Sequence, residues 1–285
     1  MSSTAPGTTR PRHAAKKMTP GRFIGIGTHH KTGTVWMRRV FHRIAQEQGI
    51  PFMPMYRPKK LAQLPDEGPC IVVNWSSSFP KKFLRHPEAR FIHVIRDPRD
   101  VLLSGLRYHR VAKHKNERFL DETREDWGGK SYQEYLNALP SESDQMLFEM
   151  RNKHDETVQQ MLGWDYKNPN SVELAYEDMI EDEDCSLFRK TLEKIAIPGL
   201  DIDHACKTYW DLSLFGGLAK PEARSPLQKK HIASGAPAQW VDNLPRDVAE
   251  EYVKDYGAAL KTLKYERSLK WVSACQPAEA LELAS

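Results

Sequence analysis

No stretch of this chain stays apolar for the roughly 20 residues that a membrane-spanning helix needs. Residues 1–20 lack the apolar middle of a secretory signal and are rich in Ser, Thr, Pro and basic side chains without periodicity. They are therefore expected to be a disordered tail on a soluble, unexported protein. Cysteine is scarce: four residues, at 70, 185, 206 and 275, with no C-x-x-C pair among them. That spacing excludes a thiolate zinc site and a disulfide framework, and it fits free thiols in a reducing cytoplasm. The eleven histidines include no H-E-x-x-H pair or comparable ligand spacing, so no metal is expected. Neither sign of charge dominates, since 42 basic and 38 acidic residues leave a net charge of +4. Basic runs stop at pairs such as Arg38-Arg39 and Lys229-Lys230. A nucleic-acid-binding stripe is excluded, and a small polyanionic ligand fits better.

What is present is an alternation of short apolar runs and helical patterns, the mark of βαβ units and a parallel sheet covered on both faces. Phe23 to Gly27, Ile50 to Met53, Cys70 to Trp75, Phe91 to Ile95 and Ser171 to Ala175 read as strands. Met37, Val40, Phe41 and Ile44 recur at helical spacing, which predicts a helix over 34–48 ending at Gly49. Further helices are expected over 144–162, 184–196, 202–212 and 244–263. The charged stretch 113–145 reads as a solvated insertion, or as a lid over an acceptor site. At 285 residues, a single α/β domain over 21–272 with a loose tail over 273–285 is expected.

Between the first strand and its helix lies Thr28-His29-His30-Lys31-Thr32-Gly33-Thr34-Val35-Trp36, which reads as an anion cradle. A strand turning through small residues into a helix leaves backbone N–H groups converging on one point, with the helix dipole behind them. Lys31 adds a full charge there, Thr32 and Thr34 add hydroxyls, and Gly33 lets a bulky anion approach the backbone. In a nucleoside triphosphate loop, by contrast, lysine follows the glycine. The second site begins at Arg96, at the end of the strand Phe91 to Ile95, followed by Asp97 as a helix cap and Pro98 at the first helical position. Carboxyl ends of strands are where open α/β sheets bind ligands. Arg96 and Ser104, eight residues apart, suit joint grip of a phosphate.

The first segment resembles the 5′-phosphosulfate loop of the sulfotransferase family, P-K-S-G-T-T-W, with His30 in place of proline and Val35 in place of the second threonine. Arg96 and Ser104 resemble the family's 3′-phosphate site. Tyr176-Glu177-Asp178-Met179 is similar to its Y-E-D-[LM] element, and Phe215 lies in a segment similar to one that supplies a stacking phenylalanine. Ala233-Ser234-Gly235-Ala236-Pro237-Ala238-Gln239-Trp240 resembles the late R-K-G-x-x-G-D-W motif, with alanine at the arginine position. Lys229, Lys230 or Arg224 are the candidates to replace that cation.

The resemblance, over about residues 22 to 265, implies a P-loop-like three-layer α/β/α domain with a central parallel sheet. It further implies transfer of a sulfonyl group from 3′-phosphoadenosine 5′-phosphosulfate (PAPS), without a metal, to a hydroxyl or amine of a small-molecule acceptor. On that reading Lys31 is catalytic. Thr32, Gly33, Thr34, Val35, Trp36, Arg96, Ser104, Tyr176, Phe215, Ser234 and Gly235 hold the donor, with Trp36 and Phe215 against the adenine. The family's K-T-H, which carries its basic histidine, is matched by Val73-Asn74-Trp75-Ser76. Either His30, His109 or a carboxylate takes the acceptor's proton, or the acceptor needs no base. A nucleotide kinase and a nucleotide-binding module without turnover are the alternatives.

Overall fold

The structure, a computed structural model, describes residues 18–112, 117–224 and 235–277. The tail over residues 1–17 and the end of the chain past 277 lie outside them. The chain divides into two compact units. One comprises Ala15–Arg96 with Gly163–Pro237, and the other is built from Asp97–Leu162 and Ala238–Ser285.

The first unit holds the sheet. Its five strands are β1 (Phe23–Gly27), β2 (Phe52–Pro54), β3 (Cys70–Asn74), β4 (Ala89–Ile95) and β5 (Ser171–Ala175). They run parallel in the order β2-β3-β1-β4-β5. Alternate residues point to opposite faces. Ile24, Ile26, Val73, Ile92 and Val94 pack with Met37, Val40, Phe41 and Ile44 of helix Thr34–Glu47 and with Phe188, Leu192 and Tyr209 of helices Ser186–Ile195 and Ile202–Asp211. Phe23, Val72 and Phe91 face the other way, onto Phe79, Phe83 and Trp164. Burial on both faces is why β1 and β3 are almost wholly apolar, without a polar alternation, and why the polar residues of β4, Arg90 and His93, are buried. The order reverses at β1, with β3 on one side and β4 on the other. The loop after β1 and the residue after β4 thus leave the sheet at its switch point, where such sheets bind ligands.

The second unit is helical: Pro98–Val111, Tyr132–Ala138, Glu142–Glu149, Asp155–Leu162 and Arg246–Thr262. Asp97 caps the first of these by accepting from the Arg99 N–H, 2.9 Å. The expected single helix over 144–162 is interrupted by a π turn, Met150–His154. The Tyr256 hydroxyl takes the Met150 carbonyl at 2.9 Å and the Asn152 amide takes the Phe148 carbonyl at 2.8 Å, which loosens the helical ladder there. The insertion also differs from a solvated one, because Leu120, Tyr132 and Leu136 are buried. Its aromatic residues form a knot: the Tyr132 ring lies 5.1 Å from Phe119 and 4.9 Å from Phe148. The charges between them face outward. Near the end of the chain, Arg246 donates to the Cys275 carbonyl at 2.9 Å, and Cys275 is buried.

Candidate functional site

Every feature of the cradle lies in the sheet unit. Beyond Gly27 the chain makes a compact turn held by its own hydroxyls. Thr34 Oγ1 donates to the His29 carbonyl at 2.7 Å, and Thr32 Oγ1 accepts from the His29 N–H at 2.9 Å. Thr32 is fully buried, and its hydroxyl proton has the His29 and Val94 carbonyls within 3.0 and 3.3 Å. Sequence reasoning counted Thr32 among the hydroxyls facing a ligand. The structure spends that hydroxyl inside the loop, where it accepts from the buried His29 N–H and faces two backbone carbonyls. Thr32 follows Lys31 as the magnesium-holding residue follows lysine in triphosphate loops, yet it is turned away from that task.

The donors left for an anion begin at Gly33. Helix Thr34–Glu47 has Gly33 at its N-cap, no side-chain cap and no acidic residue in its first turn. Its first intrahelical bond is Met37 N–H to the Gly33 carbonyl at 3.0 Å. The N–H groups of residues 33–36 therefore point out of the helix start, where the dipole is positive and uncompensated. Gly33 has φ 97°, and a β-carbon there would stand 3.2 Å from the Tyr176 ring. Lys31 also has a left-handed backbone, φ 62°.

Arg96 is brought to this turn from the end of β4. Its Nη1 donates to the Lys31 carbonyl at 3.3 Å, and its guanidinium lies over the Tyr176 ring, 4.3 Å from the centroid. Tyr176, which opens the short helix after β5, donates from its hydroxyl to the Gly235 carbonyl at 3.0 Å. Gly235 has φ 71°, and a β-carbon would meet Leu214 at 2.6 Å. Three separate segments thus meet on one tyrosine. Trp36 stacks on Tyr209, 5.1 Å between centroids and 21° between planes, while Tyr176 and Phe215 stand edge-on to it at 6.4 and 6.2 Å. Tyr209 was missed by sequence reasoning, since nothing local to helix Ile202–Asp211 marks it as Trp36's neighbour.

Other candidates lie elsewhere. Ser104 is in helix Pro98–Val111 of the second unit, and its role stays with the sequence resemblance. Ser234, Lys229 and Lys230 lie outside the described residues. Arg224 donates to the carbonyls of Leu218 and Ala219 at 2.8 and 3.0 Å, so its guanidinium serves its own loop. His109 is fully buried in the second unit, with Nδ1 2.9 Å from the Glu149 carboxylate, which also accepts from the Tyr132 hydroxyl at 2.7 Å.

Beneath the cradle His29 and His93 share a hydrogen bond, Nε2 to Nε2 at 2.8 Å, and both are fully buried. Burial, with the His29 charge second, holds His93 well below the ordinary histidine pKa. The pair is an anchor under the loop, with His93 kept neutral. Where the family has K-T-H, the buried Asn74 side chain accepts from the Ser76 and Ser78 N–H groups, both at 3.1 Å, and donates to the Met55 carbonyl at 2.9 Å. It shapes that turn and carries no basic group.

The fold and cradle have relatives. A model of the sulfotransferase domain matches residues 24–189. Among curated proteins none matches. Retinol dehydratase, crystallised with androsterone and the inactive cofactor PAP, is 16% identical over 86% of this chain and 82% of its own, with a TM-score of 0.50. Mouse sulfotransferase SULT7A1 complexed with PAP is 14% identical over 87% of this chain and 89% of its own, with a TM-score of 0.45. At the first of these identities and scores the likeness is one of fold. The domain match covers more than half of the 285 residues, including all but the first residue of β1, the cradle, Arg96 and Tyr176, and on that ground the chain belongs to the sulfotransferase family, whose reaction is sulfonyl transfer.

Proposed function

We propose that the donor is PAPS, that Lys31 and the helix start bind its 5′-phosphate, and that Arg96 binds its 3′-phosphate. One observation carries this reading: Arg96 touches the Lys31 carbonyl and roofs Tyr176, so two anion-binding cations and an aromatic wall stand in one place. Fit supports it as well. The cradle has outward N–H groups, a glycine at the one point where a β-carbon would crowd Tyr176, and no carboxylate in the first helical turn to compete. Trp36, Tyr176 and Phe215 are the aromatic surfaces for the adenine.

When bound, the donor supplies the sulfonyl group and the phosphate that leaves. The acceptor oxygen or nitrogen forms a bond to sulfur as the bond from sulfur to the bridging oxygen breaks, and the acceptor's proton passes to solvent water. Negative charge then grows on the departing 5′-phosphate. Lys31 and the N–H groups of residues 33–36 meet that charge in fixed positions, an interaction stronger in the transition state than in the ground state. The acceptor is proposed to be a small molecule presenting a hydroxyl or amine.

The test is transfer of sulfur-35 from labelled PAPS into an acceptor library, together with titration of 3′-phosphoadenosine 5′-phosphate (PAP) into wild type and Arg96→Ala. The reading expects a labelled product and at least a tenfold loss of PAP affinity in the variant. Unchanged PAP affinity in Arg96→Ala would remove the 3′-phosphate assignment.

A further inference from the structure

The donor reading uses two cations, Lys31 and Arg96, yet the same edge of the sheet unit carries more. Between Thr28 and Lys60 there are seven Lys and Arg residues and a single acidic one, Glu47. Glu47 is engaged by Arg43 at 2.7 Å and His204 at 2.9 Å. Arg38 and Arg57 are both exposed, and neither has a carboxylate within ion-pair distance among the described residues. The next acidic residues along the chain, Asp66 and Glu67, act on Arg22 instead.

Packing shows where these two arginines stand. His42, one helical turn after Arg38 on the same face, packs edge-on against Phe52 of β2 at 5.3 Å. That face of helix Thr34–Glu47 therefore runs along β2. Past β2 the chain continues in register, Met55 N–H to the Val73 carbonyl at 3.0 Å, and reaches Tyr56. The Tyr56 hydroxyl accepts from the Trp75 N–H at 3.3 Å, and the residue is 50% exposed. Arg38 is close enough for its charge to favour ionisation of that phenol against the effect of burial. Arg57 follows Tyr56 directly. Arg38, Tyr56 and Trp75 thus gather at the carboxyl edge, beside the turn that stands in place of the family's histidine segment, with exposed Arg57 the next residue of the chain.

We infer that this surface receives the acceptor, and that the acceptor is a hydroxyl compound bearing its own anionic group, held by Arg38 and Arg57 against the exposed ring of Tyr56. The inference rests on the proposed sulfonyl transfer for its identification of the bound molecule as acceptor. The charge argument stands by itself: two exposed guanidinium groups without counterions attract an anion, and guanidinium forks pair with carboxylate, sulfate or phosphate in bidentate fashion.

A matched pair of phenols tests it. 4-Hydroxybenzoate and 4-hydroxybenzamide have the same shape and differ in charge. Calorimetric titration of each into the PAP-loaded protein at about 50 mM salt is expected to show roughly tenfold tighter binding of the carboxylate, falling to under about threefold at 0.5 M salt. In the Arg38→Ala/Arg57→Ala protein the two phenols are expected to bind alike, with the melting temperature and PAP affinity of wild type retained as the control for folding. Equal or undetectable binding of both phenols by wild type overturns the inference. So does a double variant that keeps the preference. The PAP titration that precedes each experiment reports separately on the donor: if PAP fails to bind, the donor reading falls, and the same phenol comparison on the PAP-free protein decides the anionic surface alone.

Discussion

Lys31 enters the cradle with φ 62°, a left-handed backbone that costs a residue with a β-carbon about 1–2 kcal/mol. The loop bears that cost because the His29 carbonyl and N–H, tied to Thr32 and Thr34, fix the turn on either side. Two substitutions separate the side chain's chemistry from the backbone's strain. Lys31→Ala removes the charge and keeps the strain, and it is expected to lower kcat by about two to three powers of ten, as loss of a transition-state donor does. Lys31→Gly is expected to be equally inactive and to melt above Lys31→Ala, since glycine adopts the conformation freely. If Lys31→Ala turns over like wild type, the lysine does not stabilise the departing phosphate. Gly33 is the converse case. Its φ of 97° and the Tyr176 ring 3.2 Å from the absent β-carbon predict that Gly33→Ala pushes the ring away and weakens PAP binding at least fivefold, read by titration. The types of these residues were legible from their order in the chain. The inward turn of the Thr32 hydroxyl was not, because it depends on the Val94 carbonyl of a strand more than sixty residues away.

The strands β1 and β3 were legible as elements, since two buried faces make a short run almost wholly apolar, and β4 from its run Phe91 to Ile95; that signal is local, whereas β5, partly exposed and carrying Glu173, was legible from its place in the alternation. The π turn Met150–His154 was not, because one of the two side chains that hold its carbonyls, Tyr256, reaches it from a helix a hundred residues later. That turn carries a prediction of its own. His154 is buried, its Nε2 lies 2.9 Å from the Tyr252 hydroxyl, and its Nδ1 has no hydrogen-bond partner among the described residues. Burial pushes its pKa down to about 4, against the smaller opposing pull of Glu149, Asp155 and Asp97. In the unfolded chain it titrates near 6.5. As pH falls below that value the unfolded chain gains a proton that the folded one does not bind, so folded stability is complete above about pH 6.5 and is lost toward about pH 4. Urea midpoints measured across this window should fall with pH, and His154→Gln should fall less steeply, though starting lower. Parallel curves for the two proteins would show that His154 stays outside the acid response. His93, held down by burial and by His29, acts in the same direction in the sheet unit.

For the whole molecule the decisive property is which nucleotide the folded chain prefers. A ligand that binds only the native state at 100 times its Kd stabilises it by about 2.7 kcal/mol, which for a chain of this size raises the melting temperature by about 5–10 °C. PAP carries two phosphate groups on opposite sides of one adenosine. Lys31 and Arg96 meet within a hydrogen bond of one another's segment, and the aromatic residues Trp36, Tyr176 and Phe215 adjoin them. ATP offers a linear triphosphate and no 3′-phosphate, and the hydroxyl after Lys31 that would hold its magnesium is locked to His29 and Val94. PAP is therefore expected to raise the melting temperature in the presence of a chelator as fully as with magnesium, while ATP at the same concentration shifts it by less than about 1 °C. In Arg96→Ala most of the PAP shift should vanish, and in Lys31→Ala part of it should remain, because the N–H groups of residues 33–36 still face the 5′-phosphate. A larger shift with magnesium and ATP than with PAP would assign the cradle to triphosphate chemistry and replace the sulfonyl donor with a phosphoryl one.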